Sequence, residues 1–308
     1  MEGRTGSNCG VVCADGGSVE EPLLSTDITF VIESHGDHDP ASGHLALWSD
    51  SLTIERGSRQ VTVDLGAITD LAPGYVPRAY SDVFEDSIGL SYARGTERGV
   101  ILVEPTTMST RRLLISLLST VIDQVAATIA HPVERGEQET DAEPERRLLS
   151  VHPYELEFGG TEERGTGTTV KFSSLIHLDD TQLYLDGERV PGLSVRYLQT
   201  IGPPLTTELR VSSDRQHTLL RRVLNWEYNR RVREIKRLSL DSDEEDVLVA
   251  IHSRRDGRDR GLIAALDKTP AELAAILDSL TSMGLVRESG TKLTLTQTGH
   301  MLFTHEMI

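Results

Sequence analysis

The sequence predicts an α+β fold made of two antiparallel sheets, each closed by one helix, and a smaller helical module at the C-terminus. Three observations lead to this prediction. They are a pair of similar stretches with alternating hydrophobicity, a long amphipathic helix after each stretch, and a helical C-terminal segment that contains a hairpin. The chain of 308 residues is long enough for two or three domains.

The two similar stretches are "GHLALWSDSLTIERGSRQVTVDLGAITDLAP" (43–73) and "SLIHLDDTQLYLDGERVPGLSVRYLQTIGP" (174–203), the second being one residue shorter. Apolar residues fall at matching positions in both, as the pairs Leu45/Ile176 and Leu52/Leu183 illustrate. Both stretches alternate between apolar and polar residues, which is typical of strands with one buried face. The match predicts an internal duplication in which 43–65 and 174–195 are structural equivalents.

A long amphipathic helix is predicted after each stretch. The first begins at a cap formed by Thr110 and ends before Pro132, and the second begins at a cap within 212–214. The apolar stripes consist of Leu114, Leu117, Leu118, Val121 and Val125 in the first helix, and of Leu220, Leu224, Tyr228, Val232 and Ile235 in the second. A curved sheet closed by one C-terminal helix is the arrangement of pleckstrin-homology-like domains. Each repeat is therefore predicted to be such a β-barrel/helix domain.

The predicted domain boundaries follow from this pattern. A glycine- and serine-rich leader (1–25), expected to be disordered, precedes the first pleckstrin-homology-like domain at 26–132. The charged, proline-containing segment 133–148 is predicted to be a linker. The second such domain takes 149–238, and we expect it to be the smaller barrel because one strand at most fits into 204–211.

Residues 239–308 predict a winged helix, which combines three helices with a hairpin. The first helix starts in the acidic run "DSDEEDVLVAI", and "RGLIAAL" (260–266) is the second. The third has an N-cap at Thr269, a proline at its first position and Glu272 in a capping box. Its buried face is predicted to contain Leu273, Ile276, Leu277 and Leu280. Gly284 ends this helix, and a hairpin turns at Ser289–Gly290.

The charges of this segment do not favour DNA binding. Nucleic-acid affinity depends on Lys and Arg that neutralise phosphates, whereas 241–308 contains twelve Asp or Glu against seven Lys or Arg. The arginines of 254–260 could touch phosphate, but the third helix offers no group that reads a base. The sequence therefore predicts no specific nucleic-acid binding and a winged helix used against protein.

The composition of the whole chain is acidic and poor in lysine. The net charge is −17, and the basic residues are 27 Arg and 4 Lys. Such a surface stays hydrated at high salt, so we expect a salt-loving archaeal source. No apolar run approaches the ~18 residues of a membrane span, and no secretory signal is visible. These features predict a cytoplasmic protein without membrane insertion. Cys9 and Cys13 lie within the leader.

Motifs in the C-terminal half resemble a known family. Two barrel-like repeats, "AHP" (130–132), "EDVLVAIHS" (245–253) and "LTLTQTGH" (293–300) look like the CheF-type archaeal taxis adaptors, with 245–300 as the main carrier of the resemblance. The resemblance covers roughly 26–308. It implies a protein that binds the phosphorylated CheY-type response regulator and couples it to the switch proteins of the archaellum.

One segment contrasts with the acidic background. Between Arg215 and Arg237 the chain has eight Arg or Lys and two Glu. The predicted apolar stripe leaves four arginines on other faces, and these are the candidate partner-binding residues Arg222, Arg230, Arg233 and Arg237. One alternative is a docking surface for an acidic, phosphorylated receiver domain. The other is an ordinary solvated helix face, possibly paired with the chain's own acids at 241–246.

Other chemistries find little support in the sequence. His35, His38 and His44 have a spacing that could hold a metal, but short polar residues also form turns between strands, so no metal is predicted. No nucleophile elbow, P-loop or dinucleotide fingerprint occurs. The prediction is a non-enzymatic adaptor without a cofactor. The alternatives are a winged-helix transcription regulator and a scaffold of another cytoplasmic assembly.

Overall fold

The computed structural model describes residues 21–33, 37–159, 167–185, 187–199, 202–253, 266, 268–289 and 292–306. Within these ranges the protein is a mixed α+β structure of antiparallel sheets and five helices. Residues 1–20 of the predicted leader, both cysteines, most of the predicted second helix at 260–266 and the arginines of 254–260 lie outside the described residues. The leader was predicted to extend to residue 25, but the first strand already begins at Leu24.

The first sheet contains seven antiparallel strands and is followed by helix α1. The strands are β1 (Leu24–Ile32), β2 (Asp37–Leu47), β3 (Ser51–Arg56), β4 (Arg59–Asp64), β5 (Ile68–Pro73), β6 (Ile88–Arg94) and β7 (Glu97–Pro105). Their order across the sheet is β4-β3-β2-β1-β7-β6-β5. Helix α1 (Thr110–Val121) is capped by Ser109, whose hydroxyl accepts a hydrogen bond from the Arg112 amide, one residue before the predicted cap.

The second sheet begins directly after α1 and ends in helix α2 (Asp214–Ile235). Its strands are β8 (Val125–Arg135), β9 (Gln138–Glu139), β10 (Glu145–His152), β11 (Glu155–Phe158), β12 (Thr168–Lys171), β13 (Leu175–Leu185), β14 (Glu188–Tyr197) and β15 (Leu205–Val211). The order is β12-β11-β10-β8-β15-β14-β13, with the short β9 paired to β8 alone. Counted from β8 and without β9, this is the strand order of the first sheet.

Three sequence predictions in this region are wrong. The first helix ends at Val121 rather than near Pro132, because 125–135 alternates with period two and enters the sheet as β8. The predicted linker 133–148 contains the end of β8, all of β9 and the start of β10. Six of its nine charged residues lie on these strands, whose backbone is paired. The second repeat is also not the smaller one, since its sheet contains eight strands.

A fourth error concerns the register of the duplication. Residues 43–65 form the second to fourth strands of their sheet, whereas 174–195 form the fifth and sixth of theirs. The two stretches are therefore not equivalents. By position in the sheet, β5 corresponds to β13, and each follows a single 3-10 turn, at Leu65–Ala67 and at Phe172–Ser174. Alternation has the same period in every strand, so a pattern shifted by whole strands matches almost as well.

The C-terminal module contains helices α3 (Ser242–His252), α4 (Pro270–Ser282) and α5 (Gln297–Glu306), with β16 (Val286–Ser289) paired to β17 (Lys292–Leu295). The predicted capping box of α4 is present, α3 has one as well at Asp241 and Glu244, and Gly284 has a φ of 69° at the end of α4. Leu273 and Leu280 are buried as predicted, while Ile276 and Leu277 are only half-buried.

Helix α5 was not predicted, because "LTLTQTGHML" continues the alternation of the hairpin. Thr296 interrupts it, since its hydroxyl accepts a hydrogen bond from the Gly299 amide at 3.2 Å. A side chain at Gly299 would also collide with the carbonyl oxygen of Leu285. Helix α5 packs against α2 and β13, where the Gln297 side-chain amide donates to the Leu175 carbonyl oxygen at 2.7 Å.

Candidate partner-binding surface

Helix α2 contains the candidate residues and contacts both sheets. Its predicted apolar stripe is confirmed, because Leu220, Leu224, Tyr228, Val232 and Ile235 are all buried. The helix also lies along β5 of the first sheet. There the Arg215 guanidinium donates to the carbonyl oxygens of Leu65 at 2.9 Å and Ile68 at 3.0 Å. Since peptide carbonyls accept these bonds, part of the basic segment holds the first repeat against the second.

Arg222, the first candidate, already has a partner within the chain. Its Nε lies 3.2 Å from Oδ1 of Asp70, which sits in β5. The neighbouring Arg221 forms a two-pronged pair with Asp180 of the second sheet, with 2.6 Å between its Nε and Oδ1. These two consecutive arginines therefore bind acids on different sheets, and neither presents an uncompensated charge.

Arg230, the second candidate, belongs to a cluster around a buried acid. Glu227 is 1% exposed, and its Oε1 lies 2.5 Å from Nε of Arg111 on α1. Arg230 Nη2 is 3.6 Å from the other carboxylate oxygen, and its Nη1 is 3.1 Å from Glu234. Arg231, next in sequence, donates to the Ser173 carbonyl at 3.1 Å, and burial lowers the pKa of its guanidinium. The charge of Arg230 is thus shared between two of the chain's own acids.

Arg233 and Arg237 differ from the other two candidates. Both are exposed, and no ion pair involves either of them in the part of the chain that the structure describes. Lys236 between them is exposed as well. Helix α2 ends at Ile235, so Arg237 lies beyond its last turn, and the predicted face with i, i+3, i+7 spacing is interrupted there. We call Arg233, Lys236 and Arg237 the cationic end of α2.

The suggested pairing with the acids of 241–246 is not what neutralises the helix. Asp70, Glu227, Glu234 and Asp180 perform that role. Among the acids of 241–246, Asp243 binds Lys268, and Glu244 accepts a hydrogen bond from the Ser279 hydroxyl at 2.7 Å. Sequence reasoning missed Arg111 and Asp70, since no local pattern links them to a helix more than 100 residues away along the chain.

A shallow apolar groove lies beside the cationic end of α2. It has a volume of about 350 Å³ and runs between the end of α2 and the C-terminal module. Its apolar wall contains Ile235, Leu238, Met283 and Met301, and Arg230 and Arg231 form one side. Flexible methionine side chains adapt to irregular surfaces. A cationic rim and a methionine-containing groove therefore meet at one place.

The histidines whose spacing was considered for a metal do not come together in a described site. His44 lies 3.1 Å from Asp27, to which its Nδ1 is hydrogen-bonded. His35 and the side chain of His38 lie outside the described residues. Across the described ranges, no three His, Cys, Asp or Glu side chains are grouped closely enough to hold a metal ion. No helix within those ranges combines the length and hydrophobicity needed to cross a bilayer.

Comparisons with known proteins define the class as chemotaxis signal transduction. The chain belongs to the family of the Archaeal Chemotaxis signal transduction system protein F, whose model matches residues 25–230. This range includes both sheets and most of α2, whereas the motifs at 245–300 that suggested the family lie beyond it. The chain is also 26% identical over 271 residues to the Taxis protein CheF2 of Halobacterium salinarum, covering 88% of this chain and 92% of that protein.

Among solved structures, the chain has a weak likeness to inhibitor-bound Vav1. It covers 44% of this chain and 40% of the other, with 12% identity and a TM-score of 0.26. A score this low supports no argument about fold or function. Membership of the archaeal family therefore carries the assignment to chemotaxis signalling.

Proposed function

We propose that this protein is a non-enzymatic adaptor that binds the phosphorylated CheY-type response regulator and couples it to the switch proteins of the archaellum. Family membership is the observation that carries this proposal. The acidic, lysine-poor composition suits a salty cytoplasm, where we place the adaptor.

The architecture we propose is a duplicated pleckstrin-homology-like domain followed by a winged helix. The common strand order of the two sheets supports the duplication, as does the helix that follows each of them. The winged helix is supported by α3, α4 and the β16–β17 hairpin. We place the boundary between the repeats at 122–124, between α1 and β8.

The winged helix in this proposal faces protein rather than DNA. Before its last turn, the exposed residues of α4 are Pro270, Ala271, Glu272, Ala274, Ala275 and Asp278. No cation stands among them, so this helix offers nothing to neutralise phosphates in a major groove. The charges thus disfavour the alternative of a transcription regulator.

The cationic end of α2 is the proposed regulator-binding site. An active receiver domain presents carboxylates and an added phosphoryl group, so opposite charge favours its approach. Arg233 and Arg237 can offer planar forks that hold carboxylate or phosphate through two hydrogen bonds, which suits a site in high salt. The proposed site does not include Arg222 and Arg230, because they already form ion pairs with Asp70, Glu227 and Glu234.

Charge reversal at the two exposed arginines tests this site. The variant Arg233→Glu/Arg237→Glu should bind the activated regulator at least about tenfold more weakly, since it replaces two charge-assisted contacts by repulsion. Isothermal titration with beryllofluoride-activated regulator measures the affinity, and the unactivated regulator provides the baseline. The matched control is Arg146→Glu/Arg189→Glu, which changes the net charge equally at two exposed strand positions.

The possible results separate the hypotheses. Equal weakening by both double variants would indicate a nonspecific charge effect and reject the site. Unchanged affinity in a folded Arg233→Glu/Arg237→Glu protein would also reject it. Absence of regulator binding by the parent chain, combined with sequence-dependent DNA binding in fluorescence anisotropy, would replace the adaptor with a transcription regulator. Co-purification of the switch proteins with the parent chain tests the second half of the proposal.

A further inference from the structure

A concave cavity lies between the second sheet and the C-terminal module. Its volume is about 660 Å³, within the range of roughly 300–1,000 Å³ that is usual for small-molecule sites. The walls come from the β8–β9 turn, strands β13 and β14, the Pro203–Pro204 segment, the end of α3 and one face of α5. The cavity is separate from the groove beside the cationic end of α2, and it shares no lining residue with that groove.

Three polar side chains in this cavity have no hydrogen-bond or ion-pair partner among the described residues. They are the Arg135 guanidinium and the imidazoles of His252 and His300. The two imidazole rings are 5.8 Å apart, and Nδ1 of His252 is buried without a partner. Polar groups that are removed from water normally have partners. Nδ1 of His252 is such a group, and it shares the cavity with the exposed Arg135 and the half-buried His300, so the three side chains together point to a bound molecule that supplies the missing bonds.

Arg196 adds a second guanidinium to the same wall. Its Nη1 lies 2.9 Å from Glu134, and its Nη2 donates to the Gly136 carbonyl at 2.7 Å. A guanidinium has five N–H donors, so these two contacts fix its position and leave other donors available. A fixed arginine, a free arginine and two imidazoles together form a group of donors suited to an oxyanion.

The rest of the cavity surface is apolar and partly aromatic. The ring of Phe303 stacks on His252 with 3.7 Å between the ring centres, and Ile176 and the two prolines continue this surface. Flat apolar groups favour contact with such rings. A ligand that satisfies both parts of the wall combines an oxyanion with a planar apolar group.

The charges around the imidazoles agree with an anionic ligand. Burial, then the positive charges of His252 and Arg196, lower the pKa of His300 to about 4. Burial and Arg196 also lower the pKa of His252, against the opposing charge of Glu137. Both rings are therefore neutral near pH 7 and each offers one N–H donor. An anion beside them would favour their protonated forms and raise both pKa values.

We propose that this cavity binds a small organic phosphate, with its phosphate group on Arg135 and Arg196 and its planar part against Phe303. The ligand would touch the second sheet and the C-terminal module together. Its binding would therefore stabilise their contact, since a ligand that binds only the folded arrangement favours that arrangement. This inference does not depend on the adaptor proposal.

Titration of the full chain with phenyl phosphate tests the proposal. Isothermal titration should show saturable binding that is at least about tenfold tighter than binding of inorganic phosphate or phenol, because inorganic phosphate lacks the planar apolar group and phenol lacks the oxyanion. The imidazole C–H resonances of His252 and His300 should shift with added phenyl phosphate. Those of His152, a remote half-exposed histidine paired with Glu157, should not.

Two variants make the test specific. Arg135→Gln removes an exposed cation that has no ion-pair partner among the described residues, and it should weaken phenyl phosphate binding about tenfold or more without loss of folding. Arg146→Gln, at an exposed position of the same sheet, should leave it unchanged. The proposal is overturned if phenyl phosphate does not bind, if Arg135→Gln binds it like the parent, or if phenol or inorganic phosphate binds equally well. If Arg135→Gln proves unstable, His300→Asn serves as a second, independent variant, and it should also bind phenyl phosphate more weakly than the parent.

Discussion

The ion pair between Arg111 and the buried Glu227 joins the helices that follow the two sheets and allows a quantitative test of their coupling. Arg111 belongs to α1 and Glu227 to α2, with 2.5 Å between Nε and Oε1. Removing one partner of a buried pair costs about 3–5 kcal/mol, because the other charge stays buried and unpaired. Arg230 remains 3.6 Å from the Glu227 carboxylate in the variant Arg111→Met. We therefore expect this variant to lose unfolding free energy at the low end of that range, about 3 kcal/mol.

Differential scanning calorimetry measures this loss. For a chain of 308 residues, about 3 kcal/mol corresponds to a decrease in Tm on the order of 5 °C. The double variant Arg111→Met/Glu227→Met should recover most of the stability, since an apolar pair replaces the ion pair without a stranded charge. Arg112→Met is the matched control on the same helix, at an exposed position. The reasoning fails if Arg111→Met melts within about 1 °C of the parent, or if the double variant is no more stable than the single one.

Two further predictions concern the core and the pH dependence of stability. Leu280→Ala should lower the unfolding free energy by about 2–5 kcal/mol, because Leu280 is fully buried. Leu277 is half-buried, so Leu277→Ala should lower it by about 1 kcal/mol. Urea titrations measure both losses, and equal losses would show that the helix register is wrong. Burial first, and then nearby positive charge, lowers the pKa of His131 and His300 from 6.5 to about 4. Between these values the unfolded histidines bind protons that the folded ones do not, so the Tm should fall as the pH is lowered from about 6.5 to 4. A His131→Asn/His300→Asn protein should show a smaller fall, and an identical pH profile would contradict the assignment.

Features that depend on neighbouring residues along the chain could be predicted from the sequence. The capping box of Thr269 and Glu272 needs only residues three apart, and it is present with the amide of Glu272 bonded to the Thr269 hydroxyl at 3.3 Å. The stripe of α2 from Leu220 to Ile235 follows from helical periodicity and is buried as predicted. In both cases the interaction that fixes the structure lies within one or a few turns.

Features that depend on distant partners could not be predicted in the same way. Val125 continues the apolar pattern of α1, yet it lies on β8, because the backbone there pairs with β10. Gln124 has a φ of 50° at the turn between helix and strand, a conformation that no motif in the sequence announces. The equivalence of β5 and β13 also depends on strand order, which alternation does not encode.

The role of each basic side chain on α2 depends on the group that it contacts in the folded protein. A count of charges along the sequence cannot predict these contacts. All eight basic residues of 215–237 have the same weight in such a count. In the folded chain Arg215 bonds carbonyl oxygens and Arg222 pairs with Asp70, so these two contribute to holding α2 on the first sheet. A cation that is paired with an acidic side chain of the same protein contributes little to the electrostatic attraction of an incoming acidic protein. An exposed cation without such a partner contributes its full charge, which only salt screens. Arg233 and Arg237 are exposed and have no acidic partner among the residues that the structure describes, so we treat them as the second kind. A charge reversal that included Arg222 or Arg230 would therefore mix loss of packing with loss of binding, and the test of regulator docking is sharpest at the end of the helix alone.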